Sequence, residues 1–198
     1  MRRSIKLLLA SLTLVVICLG TAQADPFTYS GNTAAGGTPL FNRPEPGTPP
    51  TALSIIGRNV PYSVFQFTVT ANGSYGFLST SGNISLDPFL ALYANAFNPS
   101  MPLAGVLIAN DDLNPFDTIH AGFTFSLSIG TNYFLVTTGK TGGTGIFRDA
   151  GPFTNTINGP GNIIAGAPAT VPEPATLVLL GTGLAGVVAK VRQRRRPA

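Results

Sequence analysis

Over much of the chain, apolar and polar residues alternate one by one. Phe65, Phe67 and Val69 are interleaved with Gln66, Thr68 and Thr70; Phe123, Phe125, Leu127 and Ile129 are interleaved with Thr124, Ser126 and Ser128. A period of two marks a strand with one buried face, because successive side chains point to opposite sides of the backbone. Tyr133 to Thr138 follows the second run across Gly130-Thr131-Asn132, a turn sequence that predicts a hairpin. Further strands are expected at Tyr75–Ser79, Phe89–Tyr93, Gly105–Ala109, Thr144–Phe147 and Thr154–Ile157. Between the two ends of the chain no helical period is sustained. About eight short strands punctuated by Gly, Asn and Pro predict an all-β fold, an antiparallel β-sandwich or jelly roll. Phe65, Phe67, Val69, Phe123, Phe125, Leu127 and Leu135 are expected inside, and Gln66, Thr68, Thr124 and Ser126 outside.

The two ends break this pattern with continuous apolar runs. Arg2, Arg3 and Lys6 precede Leu7 to Gly20, and the segment closes on Ala22-Gln23-Ala24. Basic, apolar and small-x-small parts in that order are a secretory signal peptide, with Ala22 and Ala24 the two small residues just before the bond that signal peptidase cuts. At the other end, Val171-Pro172-Glu173-Pro174 leads into an apolar run, Leu177 to Ala189, and then to Lys190, Arg192, Arg194, Arg195 and Arg196. Positive charge is retained on the cytoplasmic side of a membrane, so the expected topology is body outside and tail inside. The chain is thus divided into a signal helix (1–24), a Pro/Gly/Thr-rich lead-in (25–59) expected to be loosely ordered over 30–50, the β domain (60–160), a flexible spacer (161–170) and a tail with a hydrophobic helix (171–198).

Composition sharpens this picture. Only 10% of the 198 residues are charged, far below the roughly 25% of a typical soluble domain. The net charge of +4 sits at the two ends. Residues 25–170 hold four bases against seven acids, a net of −3, which excludes a nucleic-acid surface. The single cysteine, Cys18, lies in the signal segment. A chain starting at Asp25 therefore has no disulfide and no thiol nucleophile.

The tail, in its order of Pro-Glu-Pro motif, apolar helix and Arg cluster, resembles the PEP-CTERM sorting signal of Gram-negative bacteria. That resemblance implies processing by a membrane-embedded exosortase that recognises Pro172, Glu173 and Pro174. Arg192, Arg194, Arg195 and Arg196 would be held inside. It places the protein transiently in the inner membrane, then at the cell surface or outside. The tail also contains Gly181-Thr-Gly183-Leu-Ala-Gly186, a dinucleotide fingerprint by spelling. No acidic residue or βαβ unit follows it, so the glycines are read as small residues of a membrane helix.

A second resemblance rests on five segments in order: Phe65-Gln-Phe-Thr-Val-Thr, Asp87-Pro-Phe-Leu-Ala-Leu-Tyr93, Ile108-Ala-Asn-Asp-Asp112, Ala121-Gly-Phe-Thr-Phe-Ser-Leu and Gly130-Thr-Asn-Tyr-Phe-Leu-Val136. Together they are similar to the bacterial pre-peptidase C-terminal domain. The likeness implies a small β-sandwich binding or accessory module with no enzymatic site of its own.

Candidate chemistry is sparse. His120 is the only histidine, and counting by twos places it on the solvent face. Asp87, Asp111, Asp112 and Asp117 fall at strand ends and in one loop rich in Asn and Asp. Two readings stand for these acids. They could ligate calcium, an oxygen-seeking ion suited to an extracellular loop, as the second resemblance also implies; or they could simply form Asx-turns. No other cofactor is indicated. The leading expectation is an exported, non-enzymatic surface or matrix protein associated with exopolysaccharide or biofilm. The alternatives are a calcium-dependent carbohydrate- or protein-binding module, which an exposed stripe of Tyr29, Tyr62, Tyr75, Tyr93 and Tyr133 would favour, and a hydrolase using His120 or the acidic loop.

Overall fold

The computed structural model describes residues 24–35, 38–82, 84–114, 117–142 and 149–166. The signal segment, the strand expected at Thr144–Phe147 and the whole sorting tail lie outside these residues. The described ones all belong to the first of two units, which ends at Ala167. Among them no helix is long and apolar enough to cross a membrane.

Among the described residues ten strands form the fold: β1 (Phe27–Asn32), β2 (Leu40–Phe41), β3 (Val60–Val69), β4 (Gly73–Ser81), β5 (Pro88–Ala94), β6 (Val106–Asn110), β7 (His120–Leu127), β8 (Tyr133–Gly139), β9 (Pro152–Asn158) and β10 (Ile163–Ala165). They make two antiparallel sheets, one in the order β1-β9-β4-β7 and the other β10-β3-β8-β5-β6, with β2 also on β3. The inner faces enclose Phe67, Val69, Tyr75, Phe77, Leu90, Leu92, Leu127, Leu135 and Ile157. Full burial of each such side chain contributes roughly 1.5–3 kcal/mol. The fold is an all-β antiparallel sandwich.

The alternation places the inner face as expected, with modifications. Phe67, Val69, Leu127 and Leu135 are buried and Thr124 and Ser126 exposed, while Gln66 and Thr68, expected outside, are half-buried, and Phe65, Phe123 and Phe125 are only half-buried against the core. For Phe123 and Phe125 the reason is their strand. β7 ends its sheet, so no further strand covers them.

Two expectations are corrected. β7 and β8 do not form a hairpin: β7 pairs with β4 in one sheet and β8 with β3 and β5 in the other. Gly130, at φ +82°, lets the chain turn from one sheet to the other. Alternation defines a strand's faces but not its neighbour. The lead-in, in turn, is ordered and structural. Phe27–Asn32 pairs along its whole length with β9. The chain then pairs at Leu40–Phe41 with β3 and bridges β6 at Gly47↔Ala109, crossing the outer face of the larger sheet. Beneath this strap lies a second core of Phe41, Val60, Phe89, Ala91, Tyr93 and Val136, so β5 is buried on both faces. In the spacer, β10 pairs with Phe67–Val69.

Candidate functional site: an acidic cluster around a lysine

Three adjacent strands build this site by their register. Pro88 of β5 lies opposite Gly139 of β8, and Leu90 of β5 opposite Asn110 of β6. The residues just beyond these strand ends are Asp87, Lys140, Asp111 and Asp112, so they meet at one end of the sandwich. The Lys140 amide donates to the Asp87 carbonyl at 2.8 Å. The Lys140 ammonium Nζ stands 2.9 Å from Asp111 Oδ2, 3.3 Å from Asp112 Oδ2 and 3.5 Å from Asp87 Oδ2. Carboxylate oxygens of the three acids come within 4.8 Å of one another.

The electrostatics are crowded. The second oxygen of each acid (Oδ1 of Asp87, Asp111 and Asp112) is buried with no hydrogen-bond partner. Burial pushes the Asp87 carboxyl up to about 6, against the pull of Lys140 and with the push of Asp111 and Asp112. Burial also raises Asp111, opposed by Lys140. Desolvation works to lower Lys140, but its bonds to Asp111 and the charges of Asp87 and Asp112 outweigh that and hold it well above its ordinary value.

Behind the cluster lies Arg43, a guanidinium 2% exposed. It stacks over the Phe89 ring at 4.1 Å and donates from Nε to the Lys140 carbonyl at 2.8 Å and from Nη1 to the Pro44 carbonyl at 2.9 Å. Arg43 therefore ties the strap to the lysine that fills the cluster. Asp149 closes the same loop, accepting from the Thr141 amide at 2.8 Å and from its hydroxyl.

Three of the four acids singled out in the sequence are brought together, and Asp117 is not. Its Oδ1 accepts from the Ile119 and His120 amides and lies 3.0 Å from His120 Nδ1, which places it in a turn at the start of β7. Burial works to raise Asp117, but the bonds from His120 and these amides outweigh it and hold the carboxyl below its ordinary value. Sequence reasoning missed Lys140 and Arg43. Lys140 is the single lysine between residues 25 and 170, a signal legible beforehand.

The tyrosines do not form an exposed stripe. Tyr75, Tyr93 and Tyr133 are buried, and Tyr29 and Tyr62 half-buried. Tyr29 accepts from Asn155 Nδ2, and burial pushes its hydroxyl up to about 12. The outer face of the smaller sheet instead presents Thr28, Ser30, Thr154, Thr156, Asn158, Ser74, Gly76, Leu78, Thr80, His120, Thr124 and Ser126. No strand position on this face is Asp, Glu, Lys or Arg. A shallow trough of about 400 Å³ crosses it, floored by Gly76 and flanked by Leu78, Leu113, Thr124 and Thr156.

Comparison with known proteins places the tail. Residues 170–196 match the PEP-CTERM protein-sorting motif, so the chain carries the signal of an exported protein processed by an exosortase and sent across the membrane to the cell surface. No curated protein matches the sequence. Among solved structures, the chain is similar to the pre-peptidase C-terminal domain of a Bacillus anthracis collagenase (11% identity, 66% of this chain and 87% of that one, TM-score 0.39). It is also similar to the Yersinia pseudotuberculosis-derived mitogen (11%, 68% and 85%, 0.37). A third similarity is to the K3 cleaved adhesin domain of Lys-gingipain from Porphyromonas gingivalis (16%, 66% and 91%, 0.31).

Proposed function

We propose that this is a non-enzymatic surface or matrix protein, released by signal peptidase at Ala24 and held briefly in the inner membrane by its tail. An exosortase then frees it to associate with exopolysaccharide. The observation that carries this reading is the sorting motif at residues 170–196 behind a signal-type N-terminus. The hydroxyl-rich outer face of the smaller sheet, with no Lys, Arg, Asp or Glu on its strands and His120 at one end paired with Asp117, supports a neutral polysaccharide, because hydroxyl and amide groups exchange hydrogen bonds with sugar hydroxyls. Deleting the exosortase of a natural host tests the sorting: the protein moves from the surface to the membrane fraction. Unchanged surface delivery overturns it. Co-sedimentation with the host's exopolysaccharide tests the face. Thr124→Glu and Thr156→Glu are expected to weaken it, and full retention by both variants contradicts it.

A second proposal concerns calcium. Asp87, Asp111 and Asp112 offer an all-oxygen donor set whose Oδ1 atoms lack partners, which fits a hard divalent cation taking six to eight oxygens. Lys140 Nζ already stands among these acids, so calcium enters by displacing an ammonium. The ion would then stiffen the end of the sandwich and leave the chemistry of binding to the sheet face.

A further inference from the structure

The fold treats the edges of its two sheets differently. In the larger sheet, β3 is covered by β2 and β10, and β6 by the Gly47↔Ala109 bridge. In the smaller sheet, both terminal strands, β1 and β7, have a neighbour on one side only, β9 and β4 respectively; β7 opens on His120, which pairs with Asp117, and β1 carries no such group. The register shows which groups face outward. Thr33 N donates to the Gly151 carbonyl, and the Pro152 carbonyl accepts from Gly82 on the far side. Asn32↔Pro152 is therefore a non-hydrogen-bonded pair, and so, by alternation, are Ser30↔Thr154 and Thr28↔Thr156. The close Ser30 Oγ–Thr154 Oγ1 contact of 3.0 Å agrees with the shorter spacing of such pairs. The N–H and C=O groups of Thr28, Ser30 and Asn32 thus point off the edge, with no backbone partner among the described residues.

Natural edges of this kind are blunted by lysine, proline or a bulge; Phe27–Asn32 contains none of these, and the nearest proline, Pro26, stands just before the strand. Beside it, Phe27 and Tyr29 stack on Phe65 at 5.4 and 4.2 Å, and all three rings remain half-exposed. We propose that β1 pairs antiparallel with β1 of a second copy about a two-fold axis at Ser30, joining two smaller sheets into one. Such an interface is self-complementary, with the same patch on both subunits. Ser30 meets Ser30 of the partner subunit, and Thr28 and Asn32 meet reciprocally, forming about six hydrogen bonds. Pairing like with like requires a neutral strand, and β1 carries no charge. Asp25, the nearest charge, falls opposite the partner's Ala35, so no carboxylates face each other.

The test uses the full chain, exported from its host, in a Cys18→Ala background so that an introduced thiol is the only one. Directly opposed residues of a hydrogen-bonded pair have Cα atoms about 5.5 Å apart, within the range of a disulfide. Ser30→Cys is expected to run as a disulfide-linked dimer without reductant, and Thr124→Cys, on β7, as a monomer. Sedimentation should give twice the chain mass for the Cys18→Ala parent and the single mass for Ser30→Pro, which removes one outward N–H from an edge where proline is tolerated. Should Ser30→Pro fail to melt like the parent, the cross-linking comparison decides. A parent that stays monomeric at high concentration, or Ser30→Cys linking no better than Thr124→Cys, overturns the proposal.

Discussion

Lys140 Nζ lies 2.9 Å from Asp111 Oδ2, the shortest of its three contacts with a cluster of acids. The lysine directly follows β8 and the aspartate directly follows β6, with β5 between those strands. This relationship makes the cluster a cation site with a tethered occupant. Any free cation must compete with a group already present at high local concentration.

Calcium binding to the native state raises stability by mass action, about 2.7 kcal/mol at a hundred times its dissociation constant. Thermal unfolding in millimolar calcium is therefore expected at higher temperature than in chelator. Asp112→Asn should shrink the shift, and Lys140→Met, which removes the competing ammonium, should enlarge it. An identical midpoint with calcium and with chelator removes calcium from the account.

The same acids define a pH dependence in chelator. Asp87 is raised from its ordinary 3.8 to about 6 in the folded chain, and Asp111 is raised with it, both chiefly by burial. The native state therefore holds these protons more tightly than the unfolded one. Stability from this source is fully present below pH 3.8 and is lost as pH rises through about 6. Chemical unfolding across that window should show the decline, and Asp87→Asn should flatten it. A rise in stability over the same window contradicts the assignment.

Arg43 is expected to matter more than its place in a Pro-rich lead-in implies. Arg43→Ala removes a ring-stacked guanidinium and leaves the Lys140 and Pro44 carbonyls without their donor. Each lost bond to a charged group costs about 1.5–3 kcal/mol. Unfolding should therefore be easier by several kcal/mol, with protease cuts appearing first in the strap. Wild-type stability of the variant rules out the strap as a structural layer.

Core substitutions separate the two kinds of aromatic position. Phe67→Ala is expected to cost about 3–5 kcal/mol because that ring is fully buried. Phe125→Ala should cost clearly less, since the ring lies half-buried on a terminal strand. Thr124→Ala should stay within about 0.5 kcal/mol. Denaturant titration orders the three, and equal costs for Phe125→Ala and Thr124→Ala contradict the face assignment.

These contrasts show what was legible in the sequence. Period-two alternation marked β3 and β7 and their inner faces, because side-chain direction follows from local backbone geometry. It was silent on partners, so β7 and β8 read as a hairpin although they belong to different sheets. β1 was hidden because Phe27-Thr-Tyr-Ser-Gly-Asn is short, polar and followed by Gly- and Pro-rich sequence. Its strand character comes from pairing with β9, which lies far along the chain. The acids were visible as a cluster in composition. That Asp87, Asp111 and Asp112 meet while Asp117 turns to His120 depends on the register of β5, β6 and β8. The burial of Arg43 follows from the strap above Phe89, a tertiary arrangement that no local pattern encodes.

The central claim is that this sandwich is exported and sorted through its tail. Proline fixes its own backbone angle and biases the residue before it towards extended geometry, in which a protease can reach the peptide bond, and the sorting motif holds two prolines. Intact-mass measurement of the protein from a host with an exosortase tests this most directly. The expected mass is that of a chain beginning at Asp25 and ending near Pro174, and Glu173→Ala should leave the tail attached. A mature exported protein still ending at Ala198 in that host contradicts the claim and makes the tail a simple anchor.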